Sequence, residues 1–147
     1  MGRATLRAKS SRRLPARSPC AGCGARCCQY FALNIDTPET HGDFENLRWF
    51  LLHKNCEIWV EDGDWYLQIN RPCKAVGPDG ACTIYEDRPT ICRRYKAVGC
   101  DRHGDGYDHD HHFTEPEQIA AYAREALARR RRRVAARRRA GTNGKRK

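Results

Sequence analysis

Residues 20–28 read Cys20-Ala21-Gly22-Cys23-Gly24-Ala25-Arg26-Cys27-Cys28, four cysteines in nine positions with glycines between them. Two residues between Cys20 and Cys23 let a tight turn aim both sulfurs at one ion, and Gly22 and Gly24 permit the backbone angles such turns demand. Cys27 and Cys28 are neighbours. On an extended backbone adjacent side chains diverge, so this pair is expected to serve two ions, or to supply one ligand and one structural thiol. A second set follows at Cys73, Cys82, Cys92 and Cys100, with eight, nine and seven residues between them. Eight thiols in two groups of four suit two four-sulfur zinc sites, an iron–sulfur cluster plus one metal, or a single site with spare thiols. Cys56 fits neither group and reads as a small buried hydrophobe.

The remainder of the 147 residues explains why such a staple is needed. Nine cysteines lie between Cys20 and Ala123 and none lies outside, while hydrophobic residues make up only 39% of the chain. A domain of that length has a thin core and is commonly held by disulfides or a metal. Between those two, no apolar run of about 18 residues is present to span a membrane. The Arg-rich start also lacks the apolar centre of a secretory signal, since Leu6 and Leu14 are its large aliphatic side chains apart from Met1. A reducing cytoplasm is the expected location, and it favours metal-bound thiolates over disulfides, as does the odd cysteine count.

Charge divides the chain in the same places. The formal net charge is +10, yet residues 1–19 carry six basic groups and no acid, and residues 124–147 carry twelve basic groups against Glu125. The middle stretch therefore holds 10 basic and 17 acidic residues. A disordered basic arm over 1–19, a domain over 20–123 and a basic helical extension and tail over 124–147 follow from this partition. Within the acidic domain, Arg26, Lys74, Arg88, Arg93, Arg94, Lys96 and Arg102 are interleaved with the cysteines, where they can balance the net −2 of a dication held by four thiolates.

Local signals between the cysteine groups give an α+β fold. Thr37-Pro38-Glu39 marks a helix start, and Phe44, Leu47, Phe50 and Leu51 recur at helical spacing over Asp43–His53. Glu57-Ile58-Trp59-Val60 and Trp65-Tyr66-Leu67-Gln68-Ile69 flank Glu61-Asp62-Gly63-Asp64, a strong β-hairpin signal. Pro89 favours a short helix, and Thr114-Glu115-Pro116-Glu117 reads as a capped start with Ile119, Tyr122, Ala123, Ala126 and Leu127 on one face. Past Leu127 the arginines force this helix out of the core or into fraying. The expectation is a small metal-stapled domain with a β-hairpin, two or three helices and cysteine-bearing loops.

Cys82-Thr83-Ile84-Tyr85-Glu86-Asp87-Arg88-Pro89-Thr90-Ile91-Cys92-Arg93, taken with Cys20–Cys28 and Cys73, resembles the YkgJ-type cysteine-cluster family of zinc- or iron-chelating domains. The specific part is C-x-I-Y-x-x-R-P-x-x-C-R. The resemblance covers about residues 20–123 and implies metal chelation by Cys20, Cys23, Cys27, Cys28, Cys73, Cys82, Cys92 and Cys100, with zinc, iron or an iron–sulfur cluster as cofactor. A flagellin lysine N-methylase carries a similar motif within a longer chain, so methyl transfer follows by analogy alone; there is no G-x-G-x-x-G segment for a Rossmann-type cofactor. Independently of kinship, Pro89 is expected to fix the turn into Cys92. Arg88 is expected to donate to a ligand sulfur or a loop carbonyl, or to pair with Glu86 or Asp87 at the surface.

His103, His109, His111 and His112 are grouped with Asp105, Asp108 and Asp110. They read as a polar loop leading to Thr114, with a second, weaker metal site as the sharper alternative. His41 and His53 have no evident partners, and no Ser, His and Asp pattern marks a hydrolase. The basic tails suit non-specific contact with nucleic acid or another polyanion, which makes a nucleic-acid-binding zinc module the competing function class.

Overall fold

Asp62 and Gly63 both adopt positive φ, 52° and 83°, so the two-residue turn has the mirror-image geometry that matches the right-handed twist of paired strands. The computed structural model, which describes residues 23–95, 100 and 109–143, pairs Cys56–Glu61 (β2) with Asp64–Ile69 (β3) around this turn, from Glu61 opposite Asp64 to Cys56 opposite Ile69. Phe31–Ile35 (β1) and His111–Phe113 (β4) complete a four-stranded sheet in the order β1-β3-β2-β4. β4 is antiparallel to β2, with Phe113 opposite Ile58 and His111 opposite Val60.

Among the described residues there are three α-helices, α1 (His41–Leu51), α2 (Thr90–Arg94) and α3 (Pro116–Asn143). The start of α1 lies at Thr40, just beyond the expected Thr37–Glu39. Thr40 Oγ1 accepts from the Asp43 N–H, and the Asp43 carboxylate accepts from the backbone N–H of Thr40 at 2.8 Å and of Glu39 at 2.9 Å. This reciprocal cap satisfies donors that helix geometry leaves open. Those bonds also hold the Asp43 carboxyl below its ordinary pKa. At α3 the reach-back side chain is Gln118, whose Oε1 accepts from Thr114 N–H and Glu115 N–H, instead of Glu117.

The chain divides into two compact units. The first, the sheet unit, comprises Ala32–Ile69 and His109–Lys147, and the second, the cysteine unit, comprises Met1–Phe31 and Asn70–Asp108. In the sheet unit, α1 and α3 cover one face of the sheet. Phe44, Leu47 and Leu51 of α1, Ile58, Val60, Trp65 and Leu67 of the hairpin, Phe113 of β4, and Ile119 and Ala123 of α3 form one buried cluster. Alternation along the strands puts the hairpin members on that face. Phe44 meets Trp65 edge-on at 6.4 Å, and Trp65 stacks on Phe113 at 6.0 Å. Cys56, half-buried at the head of β2, packs against the same cluster.

Within the described residues, the end of the histidine-rich segment is strand and not loop. His111 and His112 lie in β4, and Asp110 anchors its start by donating to the Val60 carbonyl at 2.8 Å and accepting from Gly63 N–H at 3.2 Å. His112 Nε2 meets Glu57 Oε2 at 2.8 Å, His111 packs against Tyr122, and His109 tilts on Trp59. A three-residue strand carries too little pattern to stand out in the sequence. His53, for which no partner was evident, turns its Nδ1 to the Trp49 carbonyl at 3.2 Å and its ring to the Trp49 indole. His103, Asp105, Asp108 and the arm over 1–19 lie outside the described residues.

Candidate metal centre

The cysteine unit is built from turns. Gly24 and Ala25 both take left-handed backbone angles, φ 65° and 54°, and the chain then winds through a 3-10 turn at Arg26–Cys28. The backbone at Cys27 and Cys28 is thus a 3-10 turn and not the extended segment expected, and Cys27 makes a side-chain hydrogen bond to Cys28.

The second group is carried by a small closed loop. Val76 bridges Cys82, Gly77 N–H donates to the Ala81 carbonyl at 2.8 Å, and the Thr83 N–H and hydroxyl both reach the Ala75 carbonyl. These bonds bring the chain around Ala75 back beside Cys82, so Cys73 and Cys82 flank one short hairpin. Gly80 turns its tip with φ 74°, and a side-chain carbon there would stand 3.2 Å from the Gly24 Cα. Glycine at 80 therefore serves both the turn and the close approach to the first cysteine segment. A second tie lies at the other end, where Cys73 N–H donates to the Cys28 carbonyl at 2.7 Å. The two cysteine groups, separate in the sequence, are thus laced together by backbone.

Cys92 is positioned by two arginines. Arg88 folds over the Tyr85 ring, 3.5 Å from its centroid, and donates from Nε to the Tyr85 carbonyl at 2.8 Å. Of the three roles expected for it, the structure selects the carbonyl contact. Arg93, on α2 beside Cys92, donates to the Arg88 carbonyl at 2.7 Å and to the Glu86 carbonyl at 2.5 Å. It clasps the turn between Cys82 and Cys92, a role that the trailing Arg of the C-x-I-Y-x-x-R-P-x-x-C-R string signals only once the turn is seen. Pro89 stands immediately before α2, with its carbonyl accepting from Arg93 N–H at 3.2 Å.

The electrostatics register this gathering. Burial pushes the Cys28 thiol above its ordinary pKa, the hydrogen bond from Cys27 opposes this, and the neighbouring Cys73, Cys82 and Cys92 raise it further as their charges repel a thiolate. Cys73 Sγ accepts from the Ala75 N–H at 3.5 Å. Cys27, Cys28, Cys73, Cys82 and Cys92 accordingly share one neighbourhood. Cys23 and Cys100 are the buried hydrophobic residues of this unit among those described, 8% and 6% exposed. Cys20, Lys96 and Arg102 lie outside the described residues. Among the described residues no three Cys, His, Asp or Glu side chains are drawn tightly enough to close on an ion. What the chain supplies is a soft donor set of thiols on tied turns, the donor chemistry that zinc and iron accept.

A family model described as "putative zinc- or iron-chelating domain", and labelled CxxCxxCC, matches residues 19–124. The label has two residues between its second and third cysteines, whereas this chain has three, Gly24, Ala25 and Arg26. No curated protein matches, and no solved structure does.

Proposed function

This chain belongs to the CxxCxxCC family of zinc- or iron-chelating domains, and from that premise we propose that Cys20, Cys23, Cys27, Cys28, Cys73, Cys82, Cys92 and Cys100 hold zinc or iron, the latter as an ion or an iron–sulfur cluster. The observation that carries the assignment is the backbone bond from Cys73 N–H to the Cys28 carbonyl at 2.7 Å, with Cys28 close enough to Cys73, Cys82 and Cys92 to feel their charge. Thiols that repel one another when ionised become favourable neighbours once a dication neutralises them. The backbone tie between Cys28 and Cys73 supports ligands drawn from both sequence groups in one centre.

On this reading Arg88 and Arg93 keep the Cys82–Cys92 turn in shape, and the Ala75 N–H orients the Cys73 sulfur. Protein purified without oxygen then carries stoichiometric zinc or iron by elemental analysis. Visible absorption separates iron–sulfur from zinc, because zinc is spectroscopically silent there. Folded protein with neither metal would end the proposal, as would unchanged metal content in C28S and C73S variants.

A further inference from the structure

Helix α3 stops burying side chains after Leu127 without ceasing to be a helix. Ile119 and Ala123 are buried and Ala126 and Leu127 partly so, whereas residues 128–140 are exposed without exception, and the helix runs on to Asn143. That exposed segment carries Arg129–Arg133 and Arg137–Arg139, with no lysine, no acid and only Val134 as a large apolar residue. At about 100° per residue the eight arginines fall on every side of the helix over roughly 20 Å.

Folding alone does not account for them. Arg129 and Arg133, and Arg133 and Arg137, stand four apart, where like charges oppose the helix. Two acids answer this charge: Glu125 pairs with Arg129 at 3.5 Å, and Glu39 with Arg130 at 2.7 Å. Among the described residues Arg131, Arg132, Arg133 and Arg137 have no acid at ion-pairing distance.

The distribution of charge selects the partner. A helix lying on a membrane needs a broad apolar face, and here Leu127, Val134 and Ala135 make a narrow strip edged by Arg130, Arg131 and Arg138. An acidic protein surface would engage one side and leave the others repelling. A helix seated in a duplex groove meets phosphates on both flanks, so charge on every side is used, and arginine's planar fork suits phosphate oxygens. The major groove of B-form DNA, about 12 Å wide, admits a helix, while that of A-form RNA does not.

We propose that residues 128–140 of α3 are a docking element for double-stranded DNA, seated in the major groove by phosphate contacts and blind to base sequence. The test is fluorescence anisotropy of the full, metal-loaded chain on a labelled mixed-sequence duplex of about 20 base pairs. Between 50 and 200 mM salt the affinity falls about 10³-fold, as about six phosphate contacts require. R131Q/R132Q/R133Q/R137Q weakens binding by at least about 100-fold at low salt and flattens the salt dependence, and the matching four-lysine variant restores both, which separates lost charge from lost helix. Three results overturn the proposal: binding unchanged in the glutamine variant, equal affinity for an RNA duplex of the same sequence, or equally tight binding to phosphatidylserine vesicles with the same dependence on these arginines.

Discussion

The sheet unit and the cysteine unit lie in one chain and are held by different forces. In the first, ten buried apolar side chains from two helices and three strands form one cluster, with Ile58 and Ile119 at 0% exposure. In the second, the buried hydrophobic residues among those described are Cys23 and Cys100, while Ile91 is 78% exposed and Ile84 43%. Apolar burial at about 25 cal/mol per Å² sustains the first. The second has turns, backbone ties and arginine clasps, which fix shape but bury little. The contrast teaches that the two units rest on different resources: apolar burial in the first, and in the second tied turns that carry thiols in place of a core.

Removing metal should sharpen this contrast most strongly. Ligand bonds of a structural metal site are worth on the order of 10 kcal/mol, so chelation should abolish amide protection over residues 70–95 while β2 and β3 keep theirs, as read by hydrogen exchange. Parallel loss in both regions would erase the distinction. The reverse experiment is Ile58→Ala, expected to cost about 2–5 kcal/mol in denaturant melts and to leave metal content unchanged. Arg93→Ala removes the clasp without touching a sulfur; metal affinity should fall roughly 10–100-fold in a competition titration, with the melting of the sheet unit unmoved.

The smallest effect sits at the α1 cap. Thr40→Ala should cost about 1 kcal/mol in thermal melts. Because Asp43 is held below its ordinary value of 3.8, the cap's contribution is complete above that pH and is lost as pH falls through the lower folded value. Acid titration of α1 by NMR should therefore show melting at a higher pH in the Thr40→Ala variant than in the parent chain.

Much of the sheet unit was legible in advance because its signals are local. Asp62-Gly63 between two β-rich runs, and apolar residues at helical spacing from Phe44 to Leu51, each report on neighbours a few positions away. β1 and β4 were not legible: β4 spans three residues and β1 exposes Phe31 and Leu33, so neither shows a pattern without its partner strand. In the candidate site the cysteines declared themselves by spacing. The behaviour of Cys27 and Cys28 did not, because it depends on a 3-10 turn and two left-handed residues before it. The clasp by Arg93 was hidden for a related reason, since it acts on carbonyls that come within reach only after the Tyr85–Asp87 turn has formed.

The sequence by itself determined the α+β class, the placement of all nine cysteines between two basic ends, and the family, since each rests on residue type and short-range spacing. The tertiary structure alone decided that Cys28 and Cys73 are tied, that Gly24 lies too near Gly80 to admit a side chain there, and that His111–Phe113 becomes an edge strand. Those outcomes join residues far apart in the chain. They are selected by which faces bury one another and which backbone groups find partners, a global balance that no single stretch of sequence carries.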